Sequence, residues 1–319
     1  MRRPAVTVLD GVAAPARAAR VRPRGASRRE RWLRRLPLLP ALIYVIVVTQ
    51  APFVVTVWYS FQSYFWSIPK PARFIGLSNY STVFTDPAFR GSLLRSVIMT
   101  ASAVIIAMIL GVLLAVLLDR KFFGRGVVRT LIITPFLVMP AAAALVWAHP
   151  MLDANYGLVN YLLAPFGVNH VAWLSEQPLL SVIAVMIWQW TPFMTLIVLA
   201  GLQSQPADTL EAAKVDGAGA LDTFRELTIP HLRPYIELGI LLGSIYLVNT
   251  FDAVRLMTNG GPGTATTNLP FFLYQKVDYA YDIGGAAAAG VVTVVLTIIV
   301  ATFALRMFAR VFRFEEARG

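Results

Sequence analysis

Chemistry has few places to reside in this chain. The three histidines, His149, His170 and His231, stand far apart and in no helical pairing, so the i, i+4 spacing of a zinc protease is absent. There is no cysteine, which removes thiolate metal sites, iron–sulfur clusters and cysteine nucleophiles. No GxxxxGKS/T loop offers backbone amides to a nucleotide phosphate. The 17 acids are dispersed, except that five of them gather with three bases between Gln203 and Pro234. That stretch is the first place to look for function.

Structureless connections of this length are usually functional or disordered. Here Asp208-Thr209-Leu210-Glu211-Ala212-Ala213-Lys214-Val215-Asp216 reads as a helix, with Asp208 as N-cap and Glu211 three residues later, as in a capping box. Gly217 and Gly219 can end it. A second short helix is predicted over 220–227, with Leu221, Phe224 and Leu227 at i, i+3 and i+6 as an apolar ridge, stopped by Pro230. Two short helices bent at glycine, with one row of apolar knobs, suit docking of a partner. The alternative is an amphipathic hairpin lying on lipid. An excess of acids opposes it, because anionic headgroups repel them.

At these residues the sequence resembles a known family. Glu211-Ala212-Ala213, then Asp216-Gly217-Ala218, Phe224 and Ile229-Pro230, closely resemble the EAA motif of the membrane subunits of binding-protein-dependent ABC importers. Asn259-Gly260-Gly261-Pro262, preceded by Met257-Thr258, resembles an external segment of carbohydrate-importer permeases of the maltose/glycerol-phosphate type. By composition the same residues are tight-turn formers. The resemblance covers roughly residues 36–310. It implies a type I ABC importer permease fold and a heterodimeric pore shared with a second permease subunit. It also implies two cytoplasmic ATPase subunits that bind ATP and Mg, an external sugar-binding protein, and a bacterial inner (plasma) membrane. No cofactor or metal is expected in this chain itself, and no nucleic acid as partner.

The resemblance also implies where a substrate would pass. Carbohydrate sites combine aromatic faces, which stack on C–H surfaces, with amides and hydroxyls for the ring hydroxyls. Trp188-Gln189-Trp190-Thr191-Pro192-Phe193 has that mixture, and alignment on the EAA motif puts the maltose permease's sugar contacts at Gln189, Trp190 and Phe193, with Trp188 matching an aromatic. In the next helix the equivalents are Gly243, Leu247 and Thr250. Only Thr250 is polar, which shifts recognition toward Tyr246 and Asn249. Packing or interfacial anchoring is the competing account of the tryptophans. Asn249 and Asp252, polar in or beside a membrane helix, fit that account less well. Pro192 is expected to kink its helix and expose backbone to a cavity.

The elements that must position these residues are membrane helices. The chain is 57 % hydrophobic and 14 % charged, with a mean hydropathy of +0.64, where soluble domains are roughly a quarter charged. Charge-free runs lie at 36–69, between Arg95 and Asp119, Arg129 and His149, Glu176 and Asp208, and Asp282 and Arg306. Each is long enough for the ~30 Å hydrocarbon core, which takes about 20 helical residues. A shorter run, 238–251, spans if extended to Pro234 and Met257. The expectation is therefore an all-α membrane protein of six helices. Placing both termini in the cytoplasm puts 22 Lys and Arg on that side and six on the other, the positive-inside pattern.

Pro135 and Pro140 are expected to bend the third helix, and the 284–290 Gly/Ala run to serve helix packing. Outer loops at 67–94 and 149–178 are available to a binding protein. The 11 arginines of residues 1–35 read as a disordered cytoplasmic tail against anionic lipid, and 311–319 as a second tail. Ser27–Leu33 echoes a twin-arginine signal, but the apolar run after it is too long and no cleavage site follows, so it leads into an uncleaved first helix. A membrane-embedded lipid or glycan transferase would need clustered acids or histidines at one membrane face. A stand-alone channel or secondary transporter leaves the 203–234 loop without a role. Within importers, neutral sugars, sugar alcohols and glycerol phosphate stay open. Phosphate would call for a pore Arg or Lys, which favours the neutral cargo.

Overall fold

A computed structural model of the chain describes residues 39–67, 71–168 and 170–316. The expected 1–35 tail lies outside them. The chain divides into two units, Met1–Phe53 and Val54–Gly319. The described part of the first is the beginning of helix α1 (Leu39–Ser60), whose apolar side chains are exposed all round. A helix with a mean hydropathy of 2.0 and no buried face is built for lipid or for another chain.

The second unit is almost wholly helical. A two-residue antiparallel pairing, β1 (Gln62–Ser63) with β2 (Arg73–Phe74), precedes α2 (Ser78–Thr85) and α3 (Pro87–Asp119). Asp86 caps α3 by accepting from the Ala88 N–H at 2.8 Å, with proline in the first turn where no amide is needed. Then come α4 (Arg125–Leu137), α5 (Pro140–Val146), a π-helical turn at Trp147–Met151, α6 (Leu158–Leu163), α7 (Trp173–Glu176) and α8 (Pro178–Gln203). The chain continues through α9 (Ala207–Val215), α10 (Ala220–Thr223), α11 (Ile229–Leu247), α12 (Leu269–Asp278) and α13 (Ile283–Glu316).

Among the described residues, α1, α3 and α8 are long and apolar enough to span a membrane, and α4 with the α5 segment makes a fourth if counted as one. That pair is bent by 97°. Pro135 lies within α4 and Pro140 opens α5, so two prolines around the break deny it backbone donors. Helix α11 begins at Ile229, well before the charge-free run at 238, and Arg233 and Glu237 pair along its own surface at 2.9 Å. It stops at Leu247. The first part of α13, Ile283–Ile299, is a shorter apolar helix, and the helix continues to Glu316, past the expected start of the second tail.

Helices α3, α8 and α11 form the core. Met194, fully buried on α8, fills slots left by Gly111 and Gly243, where a Cβ would meet its side chain. Small residues bring membrane helices together by letting backbones approach. A second cluster joins Phe89 and Phe272, edge to face at 5.7 Å, with Ala288 and Ala289 of α13, so that part of the small-residue run does pack; Gly290 faces open space.

Candidate functional site

Helix α9 carries Glu211, Ala212 and Ala213. Its N-cap is Pro206, and Asp208 sits inside the first turn, which corrects the expected capping box. Asp208 still faces the positive end of the helix from there. The C-terminus is a Schellman motif: Ala218 N–H donates to Ala213 O at 2.9 Å, Gly217 N–H to Lys214 O at 3.2 Å, with Gly217 left-handed at φ +79°. Gly219, at φ −68°, is not a second terminator but the residue from which α10 starts.

The second short helix also ends differently from expectation. α10 passes into a π-helical turn, Phe224–Thr228, and then directly into α11, with Pro230 in the first turn. Proline breaks a helix by lacking an amide and crowding the previous turn; next to a widened turn, at the start of a new hydrogen-bond register, neither cost arises. Glu211, Asp216, Gly217, Ala218 and Pro230 are exposed, and neither α9 nor α10 contains a buried residue. Val215 and Leu221 are 87 % and 74 % exposed, apolar side chains without cover. The base of this projection is fastened. Ser204 Oγ donates to Gly201 O (2.8 Å) and meets Tyr235 Oη (2.8 Å) and His231 Nε2 (3.1 Å), joining the end of α8 to the start of α11.

Where α8 passes the α4–α5 break, a cavity of about 220 Å³ opens between α8, Pro140 and the end of α11. Gln189, Trp190, Tyr246, Asn249, Thr250 and Asp252 line it. Helix α8 runs through Pro192 as one element, so the irregular backbone beside the cavity is that of the break. Gln189 Nε2 donates to Val138 O there, at 2.9 Å. Trp190 lies against Tyr246 at 5.6 Å and edge-on to Phe193 and Phe136. Phe193 packs on Phe136 behind the cavity rather than lining it, and Trp188 turns to Trp147 at 5.5 Å. Five of the seven residues singled out for a substrate path are thus gathered at one cavity, and Trp188 and Phe193 stand off it. Asp252, noted in the sequence only for its polarity near a membrane helix, is the charged member of the lining.

Below the end of α11 the chain makes a π-helical turn at Val254–Thr258 and then a closed loop. Asn259 and Gly260 are left-handed (φ +49° and +80°), and the Gly261–Pro262 bond is cis. The loop bonds to itself through Thr258 Oγ1 and Thr266 Oγ1 (2.6 Å), Thr267 Oγ1 to Gly260 O (3.1 Å) and Gly261 N–H to Thr258 O (2.9 Å). Asn268 ties it to the cavity wall, donating to Thr250 O at 2.5 Å while capping α12 through Phe271 N–H. Gly260 is buried against Phe271, so Asn259, Pro262 and their neighbours Gly263 and Thr264 form the outward tip. Arg95 reaches Thr264 Oγ1 at 2.9 Å.

The 149–178 connection is also ordered from within. Asn160, buried, donates to the carbonyls of Asp153, Ala154 and Val171 and accepts from Trp173 Nε1. Asp153 Oδ1 accepts from the Asn155 N–H at 2.8 Å, which holds its carboxyl below the usual aspartate value. Among the described residues no His/Asp/Glu group could hold a metal ion.

The family model of the binding-protein-dependent transport system inner membrane component matches residues 103–313. The chain belongs to this family. It is a membrane-embedded permease subunit of an ABC transport system, not an enzyme. It is 40 % identical over 286 residues to the probable ABC transporter permease protein y4oQ of Sinorhizobium fredii, covering 86 % of this chain and 92 % of that one. It is 34 % identical over 291 residues to the trehalose/maltose transport system permease protein MalF of Thermococcus litoralis, covering 90 % and 96 %. In fold it matches a chain of the bacterial alginate ABC transporter solved with an alginate pentasaccharide-bound periplasmic protein. That match has a TM-score of 0.75 and 21 % identity, covering 89 % of this permease and 96 % of the other chain.

Proposed function

We propose that this permease is one half of a heterodimeric pore that imports a neutral di- or oligosaccharide, or a sugar alcohol, at the expense of ATP bound by two partner ATPase subunits. The cavity carries this reading: Gln189, Trp190, Tyr246, Asn249 and Thr250 offer aromatic faces beside amides and hydroxyls, and no Lys or Arg lines it. Its volume of about 220 Å³ is below the roughly 300–1,000 Å³ of complete small-molecule sites. That suits a path completed by a second subunit.

Coupling runs through α9 and α10. ATP closes the ATPase pair, which draws the two projecting loops of the heterodimer together and opens the pore outward; hydrolysis returns it inward. The exposed Glu211–Ala218 surface and the fastened base at Ser204, His231 and Tyr235 support such a lever, since force at the tip reaches α8 and α11 together. The outward tip of the 259–264 loop and the 149–178 connection are the surfaces for the sugar-binding protein. The charge asymmetry supports six spans in a bacterial inner membrane with both ends in the cytoplasm.

The test is reconstitution in lipid with the partner permease, ATPase subunits and binding protein, followed by ATP-driven uptake of radiolabelled sugars. Uptake of a neutral sugar or polyol is expected, reduced more than about tenfold by Glu211→Ala without loss of assembly. Uptake of sn-glycerol 3-phosphate instead would overturn the neutral assignment. A permease that never binds an ATPase would return the stand-alone channel.

A further inference from the structure

Asp252 has no task in the reading above. Its carboxylate is the one charge on the cavity wall, and among the described residues no side chain bonds it or pairs with it. The nearest base in sequence, Arg255, is committed elsewhere, donating to Asn259 Oδ1 at 2.5 Å and lying over the Tyr274 ring at 5.3 Å.

Gln189 and Asn249 each spend one of their two amide N–H groups on a backbone carbonyl, Val138 O and Ile245 O. A carbonyl accepts only, so this orients both amides, with their oxygens and one N–H each left over. The wall therefore presents one carboxylate and two amide oxygens as acceptors, beside the remaining amide N–H groups and the hydroxyls of Thr250 and Tyr246 as donors, and Asp252 alone gives it a net charge.

From this we propose that Asp252 sets the charge selectivity of the cavity, admitting neutral and ammonium-bearing sugars and rejecting anionic ones. The inference rests on the sugar-permease reading and sharpens its substrate class. A sugar hydroxyl or ammonium donates to the free oxygens. A carboxylate, phosphate or sulfonate brings acceptors only, and meets a like charge in a cavity with apolar walls, where fields are poorly screened.

Asp252→Asn keeps shape and an acceptor oxygen and removes the charge; Asp252→Glu keeps the charge. Wild type and both variants would be assembled with their partner subunits in nanodiscs and held ATP-bound by a hydrolysis-blocked ATPase. Binding without the binding protein would then be measured for trehalose and for two derivatives carrying ammonium or carboxylate in place of one primary hydroxyl. Wild type and Asp252→Glu should favour the ammonium over the carboxylate derivative by at least about tenfold, and Asp252→Asn should narrow this to within about threefold. Trehalose should still bind wild type and both variants, and the unfolding midpoint should not move. The same preference persisting in Asp252→Asn, with trehalose bound, would overturn the charge filter alone. Wild type that assembles and binds no sugar would overturn the sugar-permease reading and this inference with it.

Discussion

The 203–229 and 254–268 connections share a vocabulary of glycine, proline and threonine, yet they are opposite objects. The second is closed on itself: Thr266, Thr267 and Asn268 are 0–2 % exposed, and their side chains bond the Thr258 hydroxyl, the Gly260 and Gly261 carbonyls, and Thr250 O beside the loop. The first projects two helices without a buried residue and is fastened at its base. A buried polar loop must complete its hydrogen bonds internally, and becomes rigid in doing so. A projecting pair of helices has no such obligation, and its apolar knobs are covered only when another chain arrives. Rigidity at one connection and an unfinished surface at the other suit a wall and a lever.

Two glycines with nearly the same backbone make the contrast measurable. Gly260 and Gly217 lie at φ +80° and +79°, but a Cβ on Gly260 would collide with Phe271 and Thr267, while one on Gly217 would meet nothing within 4 Å. Gly260→Ala should therefore cost about 3 kcal/mol, strain plus overpacking, seen as a large drop in the thermal midpoint. Asn268→Ala removes a helix cap and the tie to Thr250 O together, for about 2 kcal/mol in the same measurement. Gly217→Ala should cost about 1 kcal/mol, backbone strain alone. Leu221→Ser should leave the midpoint within about 0.5 kcal/mol yet weaken ATPase association, read by co-purification. Equal costs at Gly217 and Gly260 would remove the distinction between the loops, and a destabilising Leu221→Ser would mean that the lever is packed on its own chain.

Much of the site was legible early. Glu211, Ala212 and Ala213 sit on a helix closed at Gly217, one of the two glycines that could end it, because capping is local chemistry carried by neighbouring residues. Gln189, Trp190, Tyr246, Asn249 and Thr250 were assembled from resemblance and then found around one cavity. Trp188 and Phe193 stand off this cavity for a reason local sequence cannot supply: which side of α8 each ring occupies depends on Trp147 and Phe136, from the π-helical turn after α5 and from α4. Pro230 was assigned as a stop because a proline stops a regular helix; the π-helical turn before it changes the register.

Sequence alone determined what local physics controls: apolar runs long enough for a bilayer, the uneven spread of basic residues between them, the absence of thiol and nucleotide-loop chemistry, and the turns forced by glycine and proline. The tertiary structure decided which of those residues meet. The α4–α5 break turns Val138 O toward Gln189, the slots at Gly111 and Gly243 seat Met194 and bring α8 against α11, and Asp252 is left on a wall without a counter-charge. These outcomes depend on residues about fifty or more positions apart becoming neighbours, and no local propensity encodes such a distance.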